Sequence, residues 1–409
     1  YNLAREHKAV IKAVIQTHPH ADFVSGHLQI HKETGATIYN SEKLGADYEH
    51  QSFDDGDTIK IGEVSLSAIN TPGHSPDSIT IIAKKDKKTA MFTGDTLFIG
   101  DVGRPDLREN VGNMKAKRQD LAEAMYNTIQ TKFNNLPDST IVYPAHGAGS
   151  LCGKNLSSDS SSTLGNERMG NWAFKKQTRE EFVNTLLDSQ PFIPSYFGYD
   201  VDTNKRGAEN LRKSISDIPL KLNADLPPSE ALIVDIRDEA DFKKGHFTGS
   251  INLMAISETS KFETWLGAII KPEEQYYLVL NSPEEVDYIL NRVAKIGYEK
   301  NLKGLLTLPY NTGESTDILD INKFKEHPEN YTIVDIRNPS ETSEGKIFES
   351  AISKPLNELR ETSDSISKEK PIVVHCAGGY RSAAGSSILA RRFKNVKVYD
   401  LSEAVKDFQ

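Results

Sequence analysis

The residues of this 409-residue chain best suited to chemistry fall into two groups. The first is His18-x-His20-x-Asp22, followed later by His74, Asp95 and His146. Imidazoles one residue apart, with a carboxylate two further on, form a compact metal-ligand cluster. The second is the run His375-Cys376-Ala377-Gly378-Gly379-Tyr380-Arg381-Ser382. A cysteine at the mouth of such a loop faces converging backbone N–H groups and a helix start, which stabilise a thiolate and bound anions. Gly378 and Gly379 permit tight curvature, and Arg381 adds positive charge.

Short apolar runs must hold the first group in place. Residues 10–15, 64–69, 89–92 and 140–143 read as strands, and His18, His74, Asp95 and His146 each lie just past the end of one. Layered α/β folds build their sites at such strand ends. Leu121, Met125, Ile129 and Phe133 recur every fourth residue, which predicts an amphipathic helix over 115–133. Residues 188–210, with Pro191, Pro194 and few periodic apolar positions, read as a linker.

Beyond the linker the chain repeats itself. Leu232-Ile233-Val234-Asp235-Ile236-Arg237 matches Thr332-Ile333-Val334-Asp335-Ile336-Arg337 at an offset of 100 residues. An offset this large marks duplicated domains and not a solenoid. The second copy carries the Cys376 loop. The first reaches the same point as Leu280-Asn281-Ser282-Pro283-Glu284-Glu285, with no cysteine, no glycine and two carboxylates where an anion would sit. The expected organisation is a metal-binding domain over 1–187, a linker over 188–210, an inactive copy over 211–310 and an active copy over 311–409.

Bulk properties narrow the field. Hydrophobic content of 37% and charged content of 26% are ordinary for a soluble globular protein. A net charge of −9 argues against nucleic acid as the main partner, and no apolar run approaches the roughly 20 residues of a membrane span. Cys152 and Cys376 are the two cysteines, far apart, so no disulfide framework is expected and a reducing, cytoplasmic setting fits. The chain starts at Tyr1, and only one strand precedes the histidine cluster. We therefore expect it to be cut inside its first domain, with N-terminal strands missing.

The ordered set His18-x-His20-x-Asp22, Thr71-Pro72-Gly73-His74, Thr93-Gly94-Asp95 and His146 resembles the metallo-β-lactamase superfamily, which implies an αββα sandwich. Members with two metals carry a histidine directly after the aspartate. Phe23 stands there and cannot ligate, which argues for a mononuclear site. His18, His74 and Asp95 then offer two imidazoles and one carboxylate. That set suits non-haem Fe(II) with open positions on one face, and it also suits zinc.

Two segments, 98–107 after the aspartate and 146–154, resemble persulfide dioxygenases of the ethylmalonic-encephalopathy type, closest to forms fused to rhodanese domains. The resemblance implies one Fe(II) per chain on His18, His74 and Asp95. His20, Asp22 and His146 would lie outside the ligand set, orienting it or shuttling protons. Arg104 is a candidate clamp for the anionic thiol carrier, with a structural salt bridge to Asp101 or Asp106 as the alternative. Cys152 is a candidate sulfur relay, with an incidental thiol as the alternative. The Cys376 loop resembles the active loop of rhodanese-type sulfurtransferases, with Cys376 and Arg381 catalytic and Ala377, Gly378, Gly379, Tyr380 and Ser382 cradling the persulfide. Two departures from that family are Lys346 in place of a histidine and Leu401-Ser402-Glu403 in place of a glycine pair.

Together these imply small α/β rhodanese-like domains behind a dioxygenase that oxidises a small-molecule thiol persulfide with O₂ to sulfite. Cys376 would then move sulfur onto sulfite to give thiosulfate. A homo-oligomer is expected. Rival expectations are a glyoxalase-II-like zinc thioester hydrolase and a non-enzymatic scaffold that carries sulfur or senses persulfide.

Overall fold

The structure is a computed structural model, and it describes residues 1–107, 118–225, 227, 231–257, 260–309 and 313–409. The chain separates into two compact units, one of residues 1–193 with 197–211 and one of 194–196 with 212–409.

The first unit opens with helix α1 (Asn2–Glu6) and strand β1 (Ala13–Ile15), then α2 (His27–Thr34), β2 (Thr37–Asn40) and β3 (Gln51–Ser52). These three strands form a small parallel sheet. Strands β4 (Thr58–Ile61), β5 (Val64–Asn70), β6 (Ile79–Lys85), β7 (Lys88–Gly94), β8 (Ile141–Pro144) and β9 (Ser162–Thr163) form a second sheet in sequence order. It is antiparallel except where β7 runs parallel to β8. Ile15 and Tyr39 of the small sheet pack on Ala68, Ile79 and Ile81 of the large one, closing an apolar seam between them. The other face buries Ile82, Met91 and Val142 against α3 (Arg118–Thr131) and, after α4 (Leu164–Gly170), α5 (Arg179–Leu187). Leu121, Met125 and Ile129 supply the buried face of α3, as their spacing predicts. The expected helix start near 115 lies outside the described residues. A Thr178–Glu181 capping box starts α5.

The 188–210 stretch differs from the linker reading. It contains α6 (Tyr196–Arg206), whose buried Asn204 donates to the carbonyls of His20 and Phe23 and accepts from the Ser25 N–H. A residue 184 positions away thus fixes the turn that carries the histidine cluster. Its contribution was invisible in local sequence because nothing nearby pairs with it.

In the second unit, α7 (Leu211–Ser216) leads to two parallel sheets of one topology. One contains β10 (Leu220–Lys221), β11 (Leu232–Asp235), β12 (Ile251–Asn252), β13 (Tyr276–Val279) and β14 (Leu302–Leu306), in the order β10-β14-β13-β11-β12. The other contains β15 (Thr332–Asp335), β16 (Ile352–Ser353), β17 (Ile372–His375) and β18 (Val398–Asp400), in the order β16-β15-β17-β18. Strands β11 to β14 therefore correspond one by one to β15 to β18. Side-chain detail repeats as well. Arg237 clasps Asp235 and reaches the Gly245 carbonyl, while Arg337 clasps Asp335 and reaches the Gly345 carbonyl. Helices α8 (Glu239–Lys244), α9 (Phe262–Ile269) and α10 (Val286–Lys295) flank the first sheet. Helices α11 (Ile321–Glu326), α12 (Pro339–Glu344), α13 (Leu359–Thr362) and α14 (Tyr380–Arg392) belong to the second. Among the described residues, no helix is long and apolar enough to cross a membrane.

Candidate functional site

The strand ends of the first unit converge as the motif spacing requires. His18 follows β1, His74 follows β5 and Asp95 follows β7, and all three are buried. Gly94 permits the last of these turns. Its φ is +53°, and a Cβ there would lie 2.6 Å from Thr17 Oγ1, so the end of β7 can press against the segment carrying His18. Gly103 is equally tight, since a Cβ there would meet the Asp95 carbonyl oxygen.

One ligand atom each from His18, His74 and Asp95 gathers within 4.8 Å of the others. His74 Nε2 and His18 Nε2 lie 3.5 and 3.7 Å from Asp95 Oδ2. The Arg104 carbonyl fixes the His74 ring by accepting from Nδ1 at 2.8 Å, leaving Nε2 to face inward. His18 Nε2 and Asp95 Oδ2 are buried without a hydrogen-bond partner. Orphaned buried polar atoms cost about 1–3 kcal/mol each, so a cluster of them aimed at one point fits a cation. Burial and the neighbouring His20 hold His18 well below the ordinary imidazole range, and burial likewise lowers His74. Neutral imidazoles are the form that ligates.

His146 has both ring nitrogens occupied. Nδ1 lies 2.8 Å from Asp95 Oδ1 and Nε2 lies 2.8 Å from Asp22 Oδ2. Burial opposes charge on this ring, but the two carboxylates outweigh it and push it up to about 11. Asp22 is correspondingly lowered, burial notwithstanding, by its bonds to His146 and His20. Phe23 stacks on His20 at 4.3 Å, so the position where a ligand would extend the site holds an aromatic prop instead. Two further groupings share His146: His20 with Asp95, and Asp22 with Cys152.

Arg104 differs from the clamp expectation. It is 1% exposed, and its guanidinium donates to both Asp106 oxygens and to the Leu151 carbonyl. A buried, committed guanidinium holds the loop and does not greet a substrate. Asp101, the other candidate partner of Arg104, instead accepts from the N–H groups of Val102, Lys154 and Asn155 and from Trp172 Nε1. Together with the Arg104 N–H on the Cys152 carbonyl, these bonds hold a segment whose Cys152 sulfur lies within 4.8 Å of ligand atoms of Asp22 and His146. Burial and the carboxylates of Asp95 and Asp22 push the Cys152 thiol well up.

In the second unit Cys376 is buried at the end of β17, and the Gly379 N–H lies 3.1 Å from its sulfur. Gly379 has φ +103°, and the Ser382 hydroxyl closes the loop onto its carbonyl. Arg381, expected to add positive charge at the loop, pairs bidentately with Glu341 at 2.6 Å for both contacts, so that charge is countered. Ser402 has φ +52° and packs against Gly379, where a Cβ would lie 3.0 Å from the Ser402 carbonyl carbon. Lys346 is exposed, touching only the Glu349 carbonyl among its hydrogen-bond partners.

Comparisons with known proteins agree with this division. Residues 2–146 match the metallo-β-lactamase superfamily, and residues 219–304 and 320–408 each match the rhodanese-like domain. A probable hydroxyacylglutathione hydrolase of Schizosaccharomyces pombe is 34% identical over 138 residues, covering 33% of this chain and 48% of that protein. Bovine mitochondrial persulfide dioxygenase ETHE1 is 29% identical over 132 residues, covering 32% of this chain and 47% of that protein. The chain spans about half the length of the curated relatives it matches. A metallo-β-lactamase structure from Staphylococcus aureus subsp. aureus COL superposes with a TM-score of 0.66 at 29% identity, covering 75% of this chain and 88% of that one. The chain is therefore a metallo-β-lactamase-superfamily domain fused to tandem rhodanese-like domains, the family of fusions that its two chemical motifs foreshadowed.

Proposed function

We propose that the chain oxidises a low-molecular-weight thiol persulfide with O₂ and transfers sulfur through Cys376. His18, His74 and Asp95 would hold one Fe(II). The observation that supports this most is the orphaned pair His18 Nε2 and Asp95 Oδ2 facing His74 Nε2, with Phe23 in place of a further ligand. When bound, iron supplies the O₂ activation that zinc cannot. The overall reaction consumes persulfide, O₂ and water and yields thiol and sulfite, the outer sulfur providing the electrons that reduce oxygen.

The protein's own groups then have separable tasks. The Arg104 carbonyl orients His74, and His146 bridges Asp95 and Asp22 so that one Asp95 oxygen stays directed at His18 and His74. At the other site the Gly379 N–H faces the Cys376 sulfur just before the N-terminus of α14, where the outer sulfur of a persulfide would be held. Sulfite attacking the outer sulfur of a Cys376 persulfide would break that S–S bond, returning the thiolate and releasing thiosulfate.

Metal analysis paired with an oxygen electrode tests the reading. Iron with persulfide-dependent O₂ uptake is expected, whereas zinc with no O₂ uptake sinks it. The S. pombe relative favours a second reading, zinc-dependent thioester hydrolysis, which hydrolysis of a glutathione thioester would support.

A further inference from the structure

Resting on the sulfur-transfer reading of Cys376, we propose that the copy without a cysteine selects the thiol carrier that exchanges sulfur there. Lys261 anchors a carboxylate on the carrier, and Trp265 and Ile256 line its apolar body. Cys376 opens onto a cavity of about 650 Å³, one wall of which comes from Ile256, Ser260, Lys261 and Trp265 of the other copy. That volume lies in the range that encloses a whole small organic molecule, well beyond a sulfur oxyanion.

Two contacts keep the walls in register. The Tyr380 hydroxyl, at the start of α14, donates to the Met254 carbonyl at 2.8 Å. The Arg381 guanidinium lies 5.7 Å above the Trp265 ring. The active loop is thus packed directly on the copy that lacks a nucleophile.

The charges in the cavity are unequal. Glu341 already engages Arg381 through two oxygens, so that cation is occupied. Lys261 is exposed at the rim and forms no ion pair among the described residues. Ile256 beside it is 61% exposed. An apolar patch next to one available ammonium fits a thiol with a short hydrocarbon body and a carboxylate, better than it fits a neutral thiol. In the exchange, the Cys376 thiolate attacks the outer sulfur of the carrier persulfide. A new S–S bond forms on Cys376, the carrier's S–S bond breaks, and the carrier leaves as its thiolate with no external oxidant or reductant.

The test uses the full chain and two persulfides, those of 3-mercaptopropionate and of 2-mercaptoethanol. The rate of sulfur loading on Cys376 is read by peptide mass. Wild type should load faster from the carboxylate carrier. Lys261→Met should lower the carboxylate-to-neutral ratio of rate constants about tenfold, the scale of one charge-assisted contact, and Lys261→Arg should restore it. An unchanged ratio, or equal losses with both carriers, overturns the selection. If wild-type Cys376 loads from neither carrier, the transfer reading fails and the inference falls with it, a result distinct from an unchanged ratio.

Discussion

The two rhodanese-like copies share a sheet order and an Asp-x-Arg clasp, yet treat the same loop in opposite ways. In the terminal copy, Cys376 ends its strand and the Gly379 N–H points at the sulfur. In the earlier copy, buried Leu280 follows the strand, and the N–H groups of Asn281 and Ser282 donate to Glu285 at 3.0 and 3.4 Å. The carboxylate of Glu285 therefore engages the loop's first two N–H groups, and Pro283, at the position of Gly379, has no N–H to offer. Absence of the cysteine is only half the difference, because the loop's N–H groups are also engaged or missing. What remains of the earlier copy's chemistry is the wall it lends to its neighbour's cavity.

Breaking the active side of the comparison should have the largest effect. Cys376→Ser keeps the size but removes the nucleophile, so thiosulfate formation should fall to the uncatalysed rate while O₂ uptake continues. Product analysis should then show sulfite in place of thiosulfate, and unchanged thiosulfate would point to Cys152 or to transfer without the enzyme. His74→Ala offers the complementary test. It should abolish metal loading and O₂ uptake, with sulfur loading on Cys376 still measurable by mass. Loss of both in a folded protein would show that the two sites are not independent.

A smaller effect is expected when the silent copy is given a thiol. Leu280→Cys should acquire no persulfide mass, because Glu285 still holds the loop N–H groups. Loading at that position would mean that the cysteine alone makes the difference. The mildest change is Glu285→Ala, which removes the Ser282–Glu285 capping box before α10. It should lower stability by about 1 kcal/mol in denaturant titration. No change at all would show that the internal carboxylate contributes nothing to holding the loop.

Legibility in the sequence follows the range of each interaction. The strand-end histidines, the duplicated Ile-Val-Asp-Ile-Arg and the glycine-flanked cysteine are local patterns, and they pointed to the fold and to the residues that the structure gathers. Arg104 shows where local reading divides. Its neighbour Asp106 made a salt bridge one of two possibilities, and only burial against the Leu151 carbonyl decided between them. The Arg381–Glu341 pair spans 40 residues and the Asn204 contacts about 180, so no window of sequence discloses either. Phe23 was read as a missing ligand, and the structure adds what it does instead, which is to stack on His20.

Because Glu285 is part of the chain, its carboxylate faces the quiet loop at a fixed effective concentration, whatever oxyanions the medium holds. Among the described residues no carboxylate accepts from the Gly379 N–H, which points at the Cys376 sulfur, so an anion bound there would stabilise the loop with the logarithm of its supply. On the proposed sulfur-transfer reading, one half of the tandem would be indifferent to sulfur load and the other would respond to it. A loop held by its own carboxylate, beside one that is not, would then give the pair a fixed frame against which sulfur-loaded and unloaded Cys376 could differ.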